Sequence, residues 1–323
     1  MAEPDRPSKW HAPRNRAEFQ AQLDSGRSEF EAQIREARKH FDDAQARVNE
    51  RTGRNLLFAV LFGLILGFSM LFSLIVIKQL FLIVAAFLLT FAVLELTAAL
   101  RHAGREVPRL PSVAVAVAVL PISYFLPPGG QWWGLAGAIA VVWLWQLATL
   151  IPASARRPWA EVRRDLGAGA LVQLYVTFLG SFAVVLVSQD RGEWWALAFL
   201  IVVISIDVGA YASGLSFGRH PMAPRISPKK TWEGFAGSGV AAVLAAIILS
   251  IFMLQMDWWF GIIFGLVMLA TATVGDLTES LIKRDLGIKD ISSWLPGHGG
   301  FLDRLDSILP SAAAAYALYL IFA

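Results

Sequence analysis

The sequence predicts an all-α, polytopic integral membrane protein with about nine transmembrane helices and a cytoplasmic N-terminus. Composition is the first reason: the 323 residues are 56% hydrophobic and 16% charged, with mean hydropathy +0.55, whereas soluble chains run about 45–50% apolar and about 25% charged. Second, the apolar residues arrive in blocks of roughly 20, the length a helix needs to cross about 30 Å of hydrocarbon. Third, 26 of the 28 Lys and Arg fall on one side of the alternation that these blocks define, and positive residues accumulate on the cytoplasmic side. The absence of cysteine excludes thiolate catalysis, Cys zinc sites and disulfides together. A net charge of +3 would suggest nucleic acid in a soluble chain, but here charge position reports topology and no nucleic-acid partner is expected.

Residues 1–54 form a polar, helix-prone arm. Phe19, Leu23, Phe30, Ile34, Phe41 and Val48 recur at steps that place one narrow apolar stripe on a helix. A coiled-coil arm and a helix lying on the membrane surface both fit that stripe. The hydrophobic run starts too late for a signal peptide. Nine spans then follow, at about 55–77, 79–100, 111–127, 131–151, 168–188, 194–213, 235–255, 258–275 and 307–323. Five belong to an N-terminal membrane region, 55–188, and four to a C-terminal region, 189–323, expected to be catalytic. The inside segments hold eleven Lys and Arg in 1–54, three in 101–109, and four each in 156–164, 219–230 and 283–304; only Lys78 and Arg191 fall outside. The polar loops 214–234 and 276–306 therefore face the cytoplasm, where nucleotides and Mg²⁺ are available. Trp132, Trp133, Trp194, Trp195, Trp258 and Trp259 lie near predicted interfaces, as an aromatic belt requires.

The densest constellation is GDLTE at 275–279 followed by SLIKRDLGIKDISSWLPGHGGFLDRLD at 280–306. If the eighth helix continues past the membrane surface, Asp276, Ser280 and Lys283 share one face. Asp303 and Asp306 sit where the ninth helix begins, and its dipole favours anions there. Carboxylates delivered from neighbouring helix ends can nest a hard cation, which prefers oxygen ligands. Interleaved Lys283, Arg284, Lys289 and Arg304 would hold phosphate oxygens bound by the same ion. Gly299 and Gly300, after His298, permit close backbone approach to a phosphate or simply terminate a loop. A solvated loop that enforces topology is the plainer reading of the charges alone.

A second constellation, IDVGAYASGLSFGRHPMAPRISPKKTWEG, runs from Ile206 to Gly234. Asp207 lies within an apolar run, where an ionised carboxylate costs at least about 2.5–3.5 kcal/mol. It must face protein, water or a cation. Gly209, Gly214 and Gly218 suit close helix packing. Ser227-Pro228-Lys229-Lys230-Thr231 sets two cations and two hydroxyls in a short turn, fit for a polyphosphate or for anionic lipid heads. No phosphate loop, dinucleotide fingerprint, metalloprotease helix or nucleophile elbow occurs. His220 and His298 read as hydrogen-bond donors, and Glu95 in the second span as a buried structural acid.

Lys283-Arg284, Lys289-Asp290, His298-Gly299-Gly300 and Asp303-Arg304-Leu305-Asp306 together resemble the signature of phosphatidate cytidylyltransferases, or CDP-diacylglycerol synthases. The resemblance extends to Asp207, Ala210-Tyr211, Gly214 and 226–234, about the C-terminal half of the chain. It implies Mg²⁺-dependent transfer of a cytidylyl group from CTP to phosphatidic acid in phospholipid biosynthesis, at the cytoplasmic face of the inner membrane, by a homodimer with about nine membrane helices. It also implies a two-metal site on Asp276 and Asp303, the second cation monovalent or divalent, with Asp306, Asp290 and Asp207 as further metal-ligand candidates. Asp303, Asp276, Lys283 and Arg304 are then the expected catalytic residues. Ser227, Lys229, Lys230, Thr231, Arg284, Lys289, His298, Gly299 and Gly300 are expected to bind substrate. Two other functions remain open on the residues: a cytidylyltransferase or kinase acting on another lipid phosphate, and a cation-coupled transporter using Asp207, Glu95 and Asp276.

Overall fold

The computed structural model describes residues 56–126, 129–151, 157–224, 226–288, 291–292 and 299–323, with side chains described from Leu61 onward except Phe62. The arm expected at 1–54 lies outside the described residues. So do Lys289, Asp290 and His298.

Among the described residues each of the nine apolar segments is helical. They become α1 (Leu56–Ile75), α2 (Leu80–His102), α3 (Arg109–Phe125), α4 (Gly130–Ala148), α5 (Trp159–Ser188), α6 (Gly192–Phe217), α7 (Trp232–Leu254), α8 (Trp258–Asp285) and α9 (Leu302–Phe322). Among the described residues six of these, α2 and α5 to α9, are long and apolar enough to cross a membrane; α1 and α3 contribute shorter apolar helices. The protein is thus an all-α integral membrane protein, with one small exception. The expected turn at 227–231 is a strand: β1 (Pro221–Ala223) and β2 (Ser227–Thr231) pair antiparallel, Pro221 opposite Thr231 and Ala223 opposite Ser227. Alternation in so short a polar stretch is too weak a signal to reveal a ribbon.

Several helices outrun their apolar segments. α5 begins at Trp159 and includes a π-helical stretch at Gln173–Phe178; α6 reaches Phe217, α8 Asp285, and α9 starts at Leu302. Hydropathy marks only the part of a helix that sits in hydrocarbon, whereas backbone hydrogen bonding continues until a cap or glycine stops it. Thr231 supplies such a cap for α7, its Oγ1 accepting the Gly234 N–H at 3.1 Å. α8 stops just before Gly287, whose φ of +70° an L side chain rarely adopts.

Phe199, Phe260, Phe264, Met268, Leu302 and Leu309 are fully buried at the centre of the helical body. Trp195 meets Phe260 and Phe264 edge-on, with ring centroids 5.5 and 6.0 Å apart. Outward faces carry Leu64, Phe68, Leu244 and Phe252, a surface suited to lipid and not to water. α6 and α7 cross closely: a Cβ at Gly209 would come within 2.7 Å of Ala241 Cβ, and one at Gly237 would overlap Ser213 Oγ. At one end of the bundle Lys78 pairs with Glu193 at 2.6 Å, and Arg191 reaches Gln255 and the Met253 carbonyl.

Candidate active site

The opposite end of α6, α7 and α8 opens into a cavity of about 220 Å³, bordered by Asp207, Tyr211, Lys229, Lys230, Thr231, Thr273, Asp276 and Ser307. An adjoining cavity of about 360 Å³ is lined by Ile226, Ser227, Pro228, Lys229, Asp276, Ser280, Lys283 and Arg284. Asp276 and Lys229 border both. The second lining includes Asp276, Ser280 and Lys283, the face expected if α8 continued past its apolar segment.

Two lysines organise the acids. Lys230, on β2, forms an ion pair with Asp276 on α8. Lys283 pairs with Glu279 one turn earlier on α8 and crosses to Asp303 Oδ1 on α9 at 3.1 Å. Glu279 is 1% exposed, and Lys283 is the cation that lies against it. The other oxygen of Asp303 accepts the Gly300 N–H at 2.8 Å, closing the turn that opens α9. Asp306, nearly buried, accepts the Ser307 N–H at 2.6 Å. The carboxylates of Asp207, Asp276 and Asp306 lie close enough for their charges to repel one another, and Lys230 and Arg304 attract Asp207.

The start of α9 is held from across the chain. Glu95, fully buried on α2, accepts the N–H groups of Phe301 and Leu302, each at 2.9 Å, and the Ser292 hydroxyl. Phe301 stacks on Phe91, with ring centroids 4.6 Å apart. A Cβ at Gly300 would come within 2.7 Å of Glu95 Oε2, so this glycine is required by the carboxylate behind it. Gly299 has φ of +80°. At the crossing of α8 and α9, a Cβ on Gly275 would overlap the Asp306 carbonyl and approach Pro310 Cγ to 2.7 Å.

Of the residues expected from sequence, Asp207, Ser227, Lys229, Lys230, Thr231, Asp276, Lys283 and Arg284 line one or both cavities. Arg284 donates to the Ile226 carbonyl at 3.3 Å, tying the β-ribbon to α8. Thr231 borders the first cavity while capping α7. Asp303, Gly299 and Gly300 belong to the turn that Lys283 and Glu95 brace, and neither cavity lining includes them. His220 is spent elsewhere, its Nδ1 lying 2.5 Å from Glu233 Oε1. Glu279, within GDLTE, was given no role from sequence, although its i,i+4 spacing to Lys283 was a usable signal. The capping role of Glu95 had no local signal at all.

Among the described residues no group of three or more His, Cys, Asp or Glu is gathered to hold a metal ion. The donor chemistry nevertheless fits Mg²⁺, which usually takes one or two protein carboxylates and completes its shell with substrate phosphates and water. Asp276 opens on both cavities, with the Thr273 and Ser307 side chains and Asp207 beside it.

The family model for the cytidylyltransferase family matches residues 58–322. The phosphatidate cytidylyltransferase of Mycobacterium bovis is 37% identical over 278 residues, which cover 84% of this chain and 90% of that protein. That of Mycobacterium leprae is 36% identical over 276 residues, 83% of this chain and 88% of its own. That of Brucella suis matches 151 residues at 36%, which are 45% of this chain and 56% of that protein.

Proposed function

This chain belongs to the cytidylyltransferase family, and on that premise we propose that it transfers the cytidylyl group of CTP to phosphatidic acid, giving CDP-diacylglycerol and pyrophosphate. The observation that carries this reading is its likeness, along most of both chains, to the mycobacterial phosphatidate cytidylyltransferases. The cavities supply the chemistry such a reaction needs. Phosphatidic acid brings its own phosphate nucleophile, so no Ser or Cys nucleophile is required. The obstacle is repulsion between two polyanions, and Lys229, Lys230, Lys283 and Arg284 line the cavities where they would meet.

Lys230 pairs with Asp276. An incoming phosphate can compete for that ammonium and free an Asp276 oxygen. Asp276 would hold Mg²⁺, with Asp303, Asp306, Asp290 and Asp207 as further ligand candidates, one of them serving a second monovalent or divalent cation. Mg²⁺, when bound, screens the CTP phosphates and stabilises departing pyrophosphate. Ser227 and Thr231 offer hydroxyls to the phosphates, with Lys289, His298, Gly299 and Gly300 contributing from the segment of sequence between α8 and α9 and Arg304 from α9. Exposed Val208, Tyr211 and Leu215 on α6 give acyl chains an apolar approach from the bilayer.

All nine helices span the membrane in this proposal, with the N-terminus and active site on the cytoplasmic side of the inner membrane, as the distribution of Lys and Arg supports. Homodimer formation rests on the family resemblance. The test is direct: purified protein, labelled CTP, phosphatidic acid and Mg²⁺ should yield CDP-diacylglycerol and pyrophosphate, and a chelator should stop turnover until Mg²⁺ is restored. No product with phosphatidic acid, alongside turnover of a different lipid phosphate, would reassign the acceptor.

A further inference from the structure

We infer that the cavity between the C-terminal ends of α2 and α4 is a second lipid site, which takes the headgroup phosphate of an anionic phospholipid. This cavity of about 500 Å³ is lined by Arg101, Arg105, Glu106, Trp145, Gln146 and Thr149 among others, and shares no lining residue with either cavity of the active site.

Its walls are built, and its acids are already neutralised. The loop between α2 and α3 is pinned where Glu106 N–H donates to Asp165 Oδ1 at 3.0 Å. Buried Gln146 donates through Nε2 to the Glu106 and Asp165 carbonyls, both at 2.9 Å. Arg157 pairs with Glu106 at 3.3 Å and with Asp165 at 2.9 Å, so both local carboxylates have their cation. No carboxylate among the described residues lies within 4.0 Å of Arg101 or Arg105, which leaves two guanidinium groups uncompensated at the cavity. Guanidinium forks match phosphate oxygens in shape as well as charge.

The membrane supplies the occupant. Basic pockets between helices at the cytoplasmic surface suit anionic lipid heads, and the sequence puts residues 101–109 on that surface. Trp145, 54% exposed at the rim, has the amphipathic ring expected at headgroup level. Topology alone accounts for arginines at this end of the bundle. It does not account for a cavity whose floor is a buried glutamine network and whose acids are paired elsewhere. A soluble phosphate ester shares the headgroup's chemistry, and the experiment separates the two.

Full-length protein is equilibrated in micelles of phosphatidylcholine with phosphatidylglycerol, stripped of loose lipid, and weighed by native mass spectrometry. Wild type should retain phosphatidylglycerol, and Arg101→Gln/Arg105→Gln should lower retention roughly tenfold or more. The pair Arg163→Gln/Arg164→Gln, exposed on the same face but outside the cavity, should retain lipid as wild type does. Turnover of CTP with phosphatidic acid in mixed detergent and phosphatidylcholine micelles checks that each variant is folded. Equal retention in wild type and the Arg101/Arg105 variant, or equal loss in the Arg163/Arg164 control, would overturn the site. Thermal stabilisation by inorganic phosphate without retention of phosphatidylglycerol would overturn the lipid assignment in favour of a soluble ligand.

Discussion

Leu302 donates its backbone N–H to Glu95 Oε2 at 2.9 Å, across 207 residues of sequence. The first N–H groups of any helix lack partners within it, and at α9 a buried carboxylate from α2 fills that need. The turn carrying Asp303 is therefore positioned by a side chain of the N-terminal membrane region.

Glu95→Ala should consequently destabilise the protein by about 1–3 kcal/mol for each buried donor left unpaired, seen as a lower midpoint of thermal unfolding in detergent. Glu95→Gln keeps one acceptor oxygen and should fall between. An unchanged midpoint in the alanine variant would show that α9 finds its cap elsewhere.

Asp276 and Lys230 form a unit across β2 and α8. Asp276→Asn should lower turnover of CTP by about 10²-fold or more, and Lys230→Met by a comparable factor. Because the two act together, the double variant should lose much less than the product of the single losses. Fully multiplicative losses would mean that the pair has no shared role.

Lys283 bridges two acids, Glu279 and Asp303. Lys283→Met should cost about 1–3 kcal/mol, since Asp303 loses its cation and Glu279 a hydrogen-bond partner. Adding Glu279→Gln, whose amide can donate to Asp303, should restore part of the thermal stability but not the activity. Recovery of activity in the double variant would make Lys283 a structural residue alone.

Gly275→Ala drives a methyl group into the Asp306 carbonyl and Pro310, where α8 and α9 cross. Overpacking of this kind costs about 1–3 kcal/mol, and the displaced helices carry Asp276 and Asp303, so activity should fall with stability. Gly137→Ala on α4 meets no atom within 4 Å and should leave both unchanged.

Much of this site was legible in the chain. Asp276, Ser280 and Lys283 could be set on one face because helical spacing is fixed over two turns, wherever the helix ends. Lys229 and Lys230 stood out as paired cations beside hydroxyls. The β-ribbon was missed, because its pairing links residues across a loop with no apolar alternation. Gly300 read as either a phosphate-approach glycine or a loop terminator, and the carboxylate that crowds it lies 205 positions away, at Glu95. No local pattern encodes such a neighbour.

Composition and periodicity by themselves determined that this is a helical membrane protein, where the apolar part of each helix lies, and which acids and bases cluster in its polar segments. Those properties follow from solvent transfer and backbone geometry, which act residue by residue. Only the tertiary structure decided which lysine neutralises which carboxylate, that Glu95 seats the start of α9, and that two cavities meet at Asp276. Such pairings depend on which helix faces meet in space, and helix packing is set by side-chain shape over the whole bundle.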